Sequence, residues 1–111
     1  MSSAVHRLTG SAQFSLAIRT GRRAGSGTLV LHLARTDSGG PPRFGFVVSR
    51  AVGNAVARNR VKRRLRELVR ARLEELPTGS VLVVRALPPS GAASYAELRS
   101  DLARCLTRVI R

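Results

Sequence analysis

The stretch Ser49-Arg-Ala-Val-Gly-Asn-Ala-Val-Ala-Arg-Asn-Arg-Val-Lys-Arg-Arg-Leu-Arg-Glu-Leu-Val-Arg-Ala-Arg72 holds nine of the chain's twenty basic residues and one acid, Glu67. Gly53 allows a tight turn into it, and the side chain of Asn54 is suited to cap the free amides of a first helical turn. A helix is expected to start near Ala55. At about 100° per residue, Val61, Leu65, Leu68, Val69, Leu73 and Leu76 fall on one stripe, which predicts a helical pattern running until Pro77 and Gly79 end it. That stripe belongs in a core. Asn59, Arg63, Arg66 and Arg70 recur on the opposite side, with Arg60 and Arg64 along one flank and Lys62 on the other, so these side chains project outward.

A charged helical face is ordinarily solvated and laced with i,i+4 ion pairs. Here the counter-charges are missing: Glu74 and Glu75 lie at the far end, and Arg58, Arg60, Lys62 and Arg63 crowd the half where the helix dipole is already positive. Such a helix gains from an external polyanion. Arginine supplies all but one of the basic residues, and its fork matches phosphate oxygens in two contacts where lysine offers a point charge. Nucleic acid is the first candidate. A membrane surface is also negative, but a membrane binder pairs its basic face with exposed aromatics on an amphipathic helix, and here the apolar stripe is needed for a core.

The 111 residues suffice for one domain with a single modest core, and the formal net charge of +14 implies self-repulsion at low salt. Cys105 is the only cysteine and falls in an apolar helical pattern, so it reads as a small buried residue. No run is long enough to span a membrane and residues 1–10 lack the apolar core of a secretory leader, so a cytoplasmic location is expected.

In chain order, residues 1–10 read as a loosely ordered arm. Phe14, Ala17 and Ile18 suggest a short helix over Ser11 to Thr20, stopped by Gly21, with Arg22 and Arg23 at its end. A short extra strand is possible near Arg22 to Ala24, and Gly25-Ser26-Gly27 reads as a flexible link. Thr28 to Arg35 alternates, with Leu29, Leu31 and Leu33 on one strand face and Val30, His32 and Ala34 on the other. Asp37 to Pro42 reads as a hairpin-type loop, followed by a strand over Arg43 to Ser49 that puts Phe44, Phe46 and Val48 on one face. The leucine and phenylalanine faces share a core, and the opposite faces are small or mildly polar, as an open groove requires. Ser80 to Leu87 is almost continuously apolar, which suits an interior strand. Ser94 and Glu97 form a capping box for a last helix with Leu98, Leu102, Cys105, Leu106 and Val109 buried. The expected class is α+β: a single domain, 1–111, with an approximately four-stranded sheet packed by helices.

Chemistry of the chain's own is not evident. General acid and base cleavage wants paired histidines or a histidine with a carboxylate, yet His6 lies in the arm and His32 in mid-strand. Metal-assisted cleavage wants clustered carboxylates, and the six acids are scattered. No catalytic residues and no metal ligands are assigned.

Arg58-Asn59-Arg60 followed by Lys62-Arg63, and preceded by Val48-Ser49-Arg50 and Gly53-Asn54-Ala55-Val56, closely resembles the RNR motif of the bacterial ribonuclease P protein subunit. The likeness extends to Phe14, Gly21-Arg22-Arg23, Leu29 to Leu33, Arg43 to Phe46 and Val81 to Pro88. The resemblance implies the fold of the second domain of ribosomal protein S5, with a left-handed βαβ crossover. It also implies a division of labour. A catalytic RNA supplies the reacting groups and magnesium sites, and the protein helps to hold precursor tRNA while its 5′ leader is removed. No small-molecule substrate is implied. Docking on the catalytic RNA would fall to Arg50, Asn54, Arg58, Asn59, Arg60, Lys62, Arg63 and Arg66. Arg58 lies closest in angle to the apolar stripe, and its place in the first turn is what lets it project past the core. Phe14, Ile18, His32, Arg22 and Arg23 would line a groove for the single-stranded leader, with Phe14 and Ile18 readable equally as core anchors. A stand-alone structural RNA-binding protein, such as a small ribosomal protein, is the competing class.

Overall fold

The computed structural model describes residues 11–36 and 39–111, without the side chains of 11–14. The arm over residues 1–10 and the ring of Phe14 lie outside the described residues. The elements are α1 (Ser11–Thr20), β1 (Arg22–Gly25), β2 (Leu29–Arg35), β3 (Arg43–Val47), α2 (Ala55–Arg70), β4 (Ser80–Ala86) and α3 (Tyr95–Ile110), with 3-10 turns at Arg50–Val52, Leu73–Glu75 and Pro88–Gly91. The strands form one sheet in the order β1-β2-β4-β3. β3 and β4 run parallel, and the other neighbours are antiparallel. This is the expected α+β class.

Two connections differ from the sequence reading. Gly25-Ser26-Gly27 is a hairpin turn between β1 and β2, closed by the Ser26 amide donating to the Leu29 carbonyl at 2.8 Å and the Leu29 amide donating to Ser26 Oγ at 3.1 Å. β2 and β3 are not the hairpin pair expected, because β4 sits between them. The reason is β4 itself: Val81, Leu82, Val83 and Val84 are at most 1 % exposed, and a strand apolar on both faces is buried best in the middle of a sheet. Thr36 and Gly40, on either side of residues 37–39, both meet the start of β4. Gly79 ties both, donating its amide to the Gly40 carbonyl at 2.7 Å and accepting from the Thr36 amide at 2.9 Å.

The main core joins Leu29, Leu31, Leu33, Phe44, Leu82 and Val84 of the sheet to Val61, Leu65, Leu68 and Val69 of α2 and Leu98, Leu102, Cys105, Leu106 and Val109 of α3. α2 ends at Arg70, short of the expected stripe. Leu76 precedes Pro77 and is driven out of helical geometry, at φ −82° and ψ 138°. The chain unwinds ahead of it through the Leu73–Glu75 turn, which still delivers Leu76 to the same core. On the other sheet face α1 seats Ala17 against Ala34, Val81 and Val83. Val30, His32 and Ala34 are consequently buried, so that face is not the open groove expected along β2.

The capping box is present, with Ser94 Oγ accepting from the Glu97 amide and Glu97 Oε1 accepting from the Ser94 amide. One turn on, buried Asp101 accepts from Thr28 Oγ1 at 2.6 Å and from Arg104 Nη2 at 2.7 Å, tying α3 to the start of β2. The Thr28 bond, helped by Arg104 and Ser26 against the opposing effect of burial, holds Asp101 below its usual 3.8. A depressed carboxylate contributes stability that is present above the unfolded value and lost as pH falls through the folded one. Thr28→Val is expected to cost roughly 1.5–3 kcal/mol at pH 7. Its deficit in thermal midpoint against the parent chain should shrink as pH drops below about 4, and a deficit independent of pH would contradict this account.

Candidate nucleic-acid interface

The basic helix is positioned before it begins. Gly53, at φ 154°, takes a backbone conformation that other residues rarely adopt. The next residue, Asn54, accepts the Ala57 amide through Oδ1 at 2.9 Å. A methyl group at Gly91 would collide with the Val52 carbonyl, so the turn before α2 lies directly against the β4–α3 connection. Two arginines fasten the helix to that connection: Arg60 Nη2 donates to the Gly91 carbonyl at 3.1 Å and Arg64 Nη1 to the Ala93 carbonyl at 3.3 Å.

Arg50, Asn54, Asn59, Arg63 and Arg66 are exposed, whereas Arg58, Arg60 and Lys62 are half-buried. The eight expected RNA-docking residues thus lie on α2 and the turn before it but differ in freedom. Asn54 uses its side-chain oxygen to cap the helix. Arg60 has one nitrogen engaged by Gly91 and its remaining donors available. Arg58 has its Nε buried without a hydrogen-bond partner among the described residues, consistent with its angle near the apolar stripe. The ion pairs among the described residues are Arg72 with Glu75 and Arg104 with Asp101. Neither involves α2, so the seven cations of Ala55–Arg70 have no internal salt bridge there.

The expected leader residues separate. Cα pairing sets Arg23 opposite His32 and Arg22 opposite Leu33, so the two arginines point to opposite sheet faces. Ile18 is 39 % exposed, which removes it from the core, and His32 is 3 % exposed. Neither ring nitrogen of His32 has a hydrogen-bond partner among the described residues. Burial, with Arg85 and Arg23 adding positive potential, holds His32 below its usual 6.5. A buried imidazole held below its usual pKa is a floor and not the exposed groove-lining ring expected for His32.

Arg85 is the solvent-facing residue that the sequence reading passed over. It pairs with Val30 on one side and Val47 on the other, one row along from Arg23, His32 and Val83 on the face that carries α1. Its signal was available: it is the lone cation inside an apolar strand run, at the alternation of Val81 and Val83. Val56, 72 % exposed on the first turn of α2, was likewise overlooked as a surface group. Among the described residues no three His, Cys, Asp or Glu side chains converge as a metal site, and no helix is long and apolar enough to cross a membrane. Cys105 is buried, and burial raises its thiol pKa, so it is a poor nucleophile.

Residues 3–110 match the Ribonuclease P protein family. The chain is 61 % identical to the Ribonuclease P protein component of a Nocardioides species, over 98 % of this chain and 95 % of that one. In structure it resembles the RNase P protein of Thermotoga maritima with a TM-score of 0.80 at 26 % identity, covering 94 % and 97 % of the two chains. The Staphylococcus aureus RNase P protein superposes with a TM-score of 0.86 at 23 % identity, covering 96 % and 98 %.

Two outcomes follow from this geometry. Arg63→Ala should leave the thermal midpoint unchanged and lower the slope of log affinity for RNA against log salt by about 0.7–0.9, whereas Arg60→Ala should also lower the midpoint. Equal midpoints for the two variants would mean that the Gly91 bond contributes nothing. For His32, whose folded pKa is depressed, stability is complete above about 6.5 and lost as pH falls through the folded value. His32→Leu should flatten that acid loss in thermal melts, and an unflattened loss would place its origin elsewhere.

Proposed function

Because the chain belongs to the bacterial ribonuclease P family, as the protein subunit of that ribonucleoprotein, we propose that α2 docks on the catalytic RNA while the α1-bearing sheet face holds the 5′ leader of precursor tRNA. The observation that carries the first half is the cationic face of α2, without salt bridges among the described residues and locked in place by Arg60 and Arg64. Arg50, Asn59, Arg63 and Arg66 meet phosphates directly, and the free donors of Arg60 and the charges of Arg58 and Lys62 add to the field along one edge. Arginine forks suit phosphodiester oxygens, and the dependence on charge makes binding steeply salt-sensitive.

Single-stranded leader binding asks for cations beside apolar surface and little base reading. Arg23 and Arg85 supply the cations, and Ile18, Leu16 and Val47, each between 36 % and 39 % exposed, supply the apolar surface. His32 supports the floor between the two arginines, and Arg22 serves the opposite side of the sheet edge. Phe14 belongs to the same reading by its place on α1.

The hydrolysis itself is assigned to the RNA, with magnesium held by RNA groups. The described residues offer neither a donor cluster nor an acid and base pair, so no step is routed through the protein. Its contributions are to orient the leader and to reduce phosphate repulsion between two RNAs. Such a subunit works in the cytoplasm, where tRNA precursors are processed.

The test is reconstitution with a bacterial ribonuclease P RNA. Adding the chain should lower the magnesium concentration needed for cleavage of precursor tRNA, and RNA-free protein should cut nothing at a specific site. Arg85→Ala should weaken the holoenzyme's binding of precursor tRNA more than of mature tRNA while assembly is unaffected. Equal losses for both tRNAs would contradict the leader assignment, and specific cleavage by RNA-free protein would contradict the division of labour.

A further inference from the structure

A second basic surface lies where α3 meets the β1–β2 turn. Gly25, Ser26, Arg104, Thr107 and Arg108 line a concave site of about 410 Å³. Arg104 and Arg108 are one helical turn apart and share a side of α3. Each is anchored by one hydrogen bond, Arg104 Nη2 to Asp101 Oδ1 at 2.7 Å and Arg108 Nη1 to the Gly25 carbonyl at 3.3 Å. The Arg104 side chain nevertheless remains 69 % exposed. A guanidinium carries five N–H donors, so both retain several beyond the one engaged.

The other polar groups of the cavity do not compete as donors. Thr107 Oγ1 donates to the Ala103 carbonyl, and Ser26 Oγ is occupied with Leu29. The neighbouring acid among the described residues, Asp101, is 8 % exposed and shares its charge with Thr28 on the inner side. Two cations against one inward-facing anion leave the cavity electropositive. The helix dipole explains a cation such as Arg108 in the last turn. Arg104 pairs with Asp101 through one nitrogen, and its remaining donors face the cavity and solvent.

This site is separate from the α2 surface. β1 and β3 are opposite edges of the sheet, so with strands about 4.8 Å apart the turn lies roughly 14 Å across from the strand that leads into α2. We propose that the α3 cavity is a second phosphodiester site, in which Arg104 and Arg108 grip an RNA backbone segment different from the one held by α2. Resting on the ribonuclease P reading, it makes the protein a clamp between two RNA segments. The segment comes from the catalytic RNA or from the tRNA, and the two are separable by experiment.

The experiment uses the full chain with Arg104→Gln and Arg108→Gln together, measured against ribonuclease P RNA alone and, in assembled holoenzyme, against precursor tRNA. The expected result is a loss on the order of tenfold in one arm, with a salt slope lower by about 1.4–1.8 in that arm. A loss in the first arm assigns the segment to the catalytic RNA, and a loss in the second to the tRNA. Unchanged affinity and slope in both arms, with Arg63→Ala still weakening RNA binding, would overturn the proposal and leave the α2 reading standing. Since the double variant also removes a partner of Asp101, a backbone-cleaving iron chelate tethered at Thr107→Cys provides a second readout in the otherwise native chain. Cuts at RNA positions distinct from those made by the same probe at Asn59→Cys support the site. No cuts from position 107 alongside clear cuts from position 59 overturn it.

Discussion

Everything in this fold turns on a conflict within one sixteen-residue helix. α2 carries seven cations and one acid, and their mutual repulsion opposes the compact state. Burial of Val61, Leu65, Leu68 and Val69 offsets it, at about 1.5–3 kcal/mol for each fully buried aliphatic side chain as an upper bound. The sheet and α3 exist, in energetic terms, to supply the opposite wall of that core. Arg60 and Arg64 then convert part of the charge into fastening, through carbonyls of the β4–α3 connection.

The consequence is a rigid cationic ridge and not a flexible basic tail. A disordered arginine-rich segment loses conformational entropy when RNA orders it, whereas α2 presents its donors already fixed by a glycine turn, an asparagine cap and two side-chain anchors. The sheet separates this ridge from Arg23 and Arg85. Two basic surfaces on one small domain suit the two RNAs proposed for them.

Much of this was legible in the residues. The caps at Asn54 and Ser94, the stripes of α2 and α3 and the interior character of β4 follow from local rules with little competition. What escaped was set by tertiary contacts. The segment from 37 to 42 has hairpin composition, but β4 outcompeted β3 for the place beside β2 by being apolar on both faces. His32 alternates correctly away from the leucines, yet α1 covers that face, so alternation alone did not imply exposure. Arg60 repeats with the outward cations, and only the fold brings Gly91 within its reach.

The central claim is that the charge gathered on α2 is unfavourable in the free chain and satisfied by RNA. The direct measurement is the thermal midpoint as a function of salt, for the free chain and for the chain saturated with ribonuclease P RNA. Screening relieves repulsion in the first case and weakens phosphate contacts in the second. The midpoint is therefore expected to rise with salt for the free chain and to fall for the complex. A complex whose midpoint rises with salt in parallel with the free chain would contradict the account.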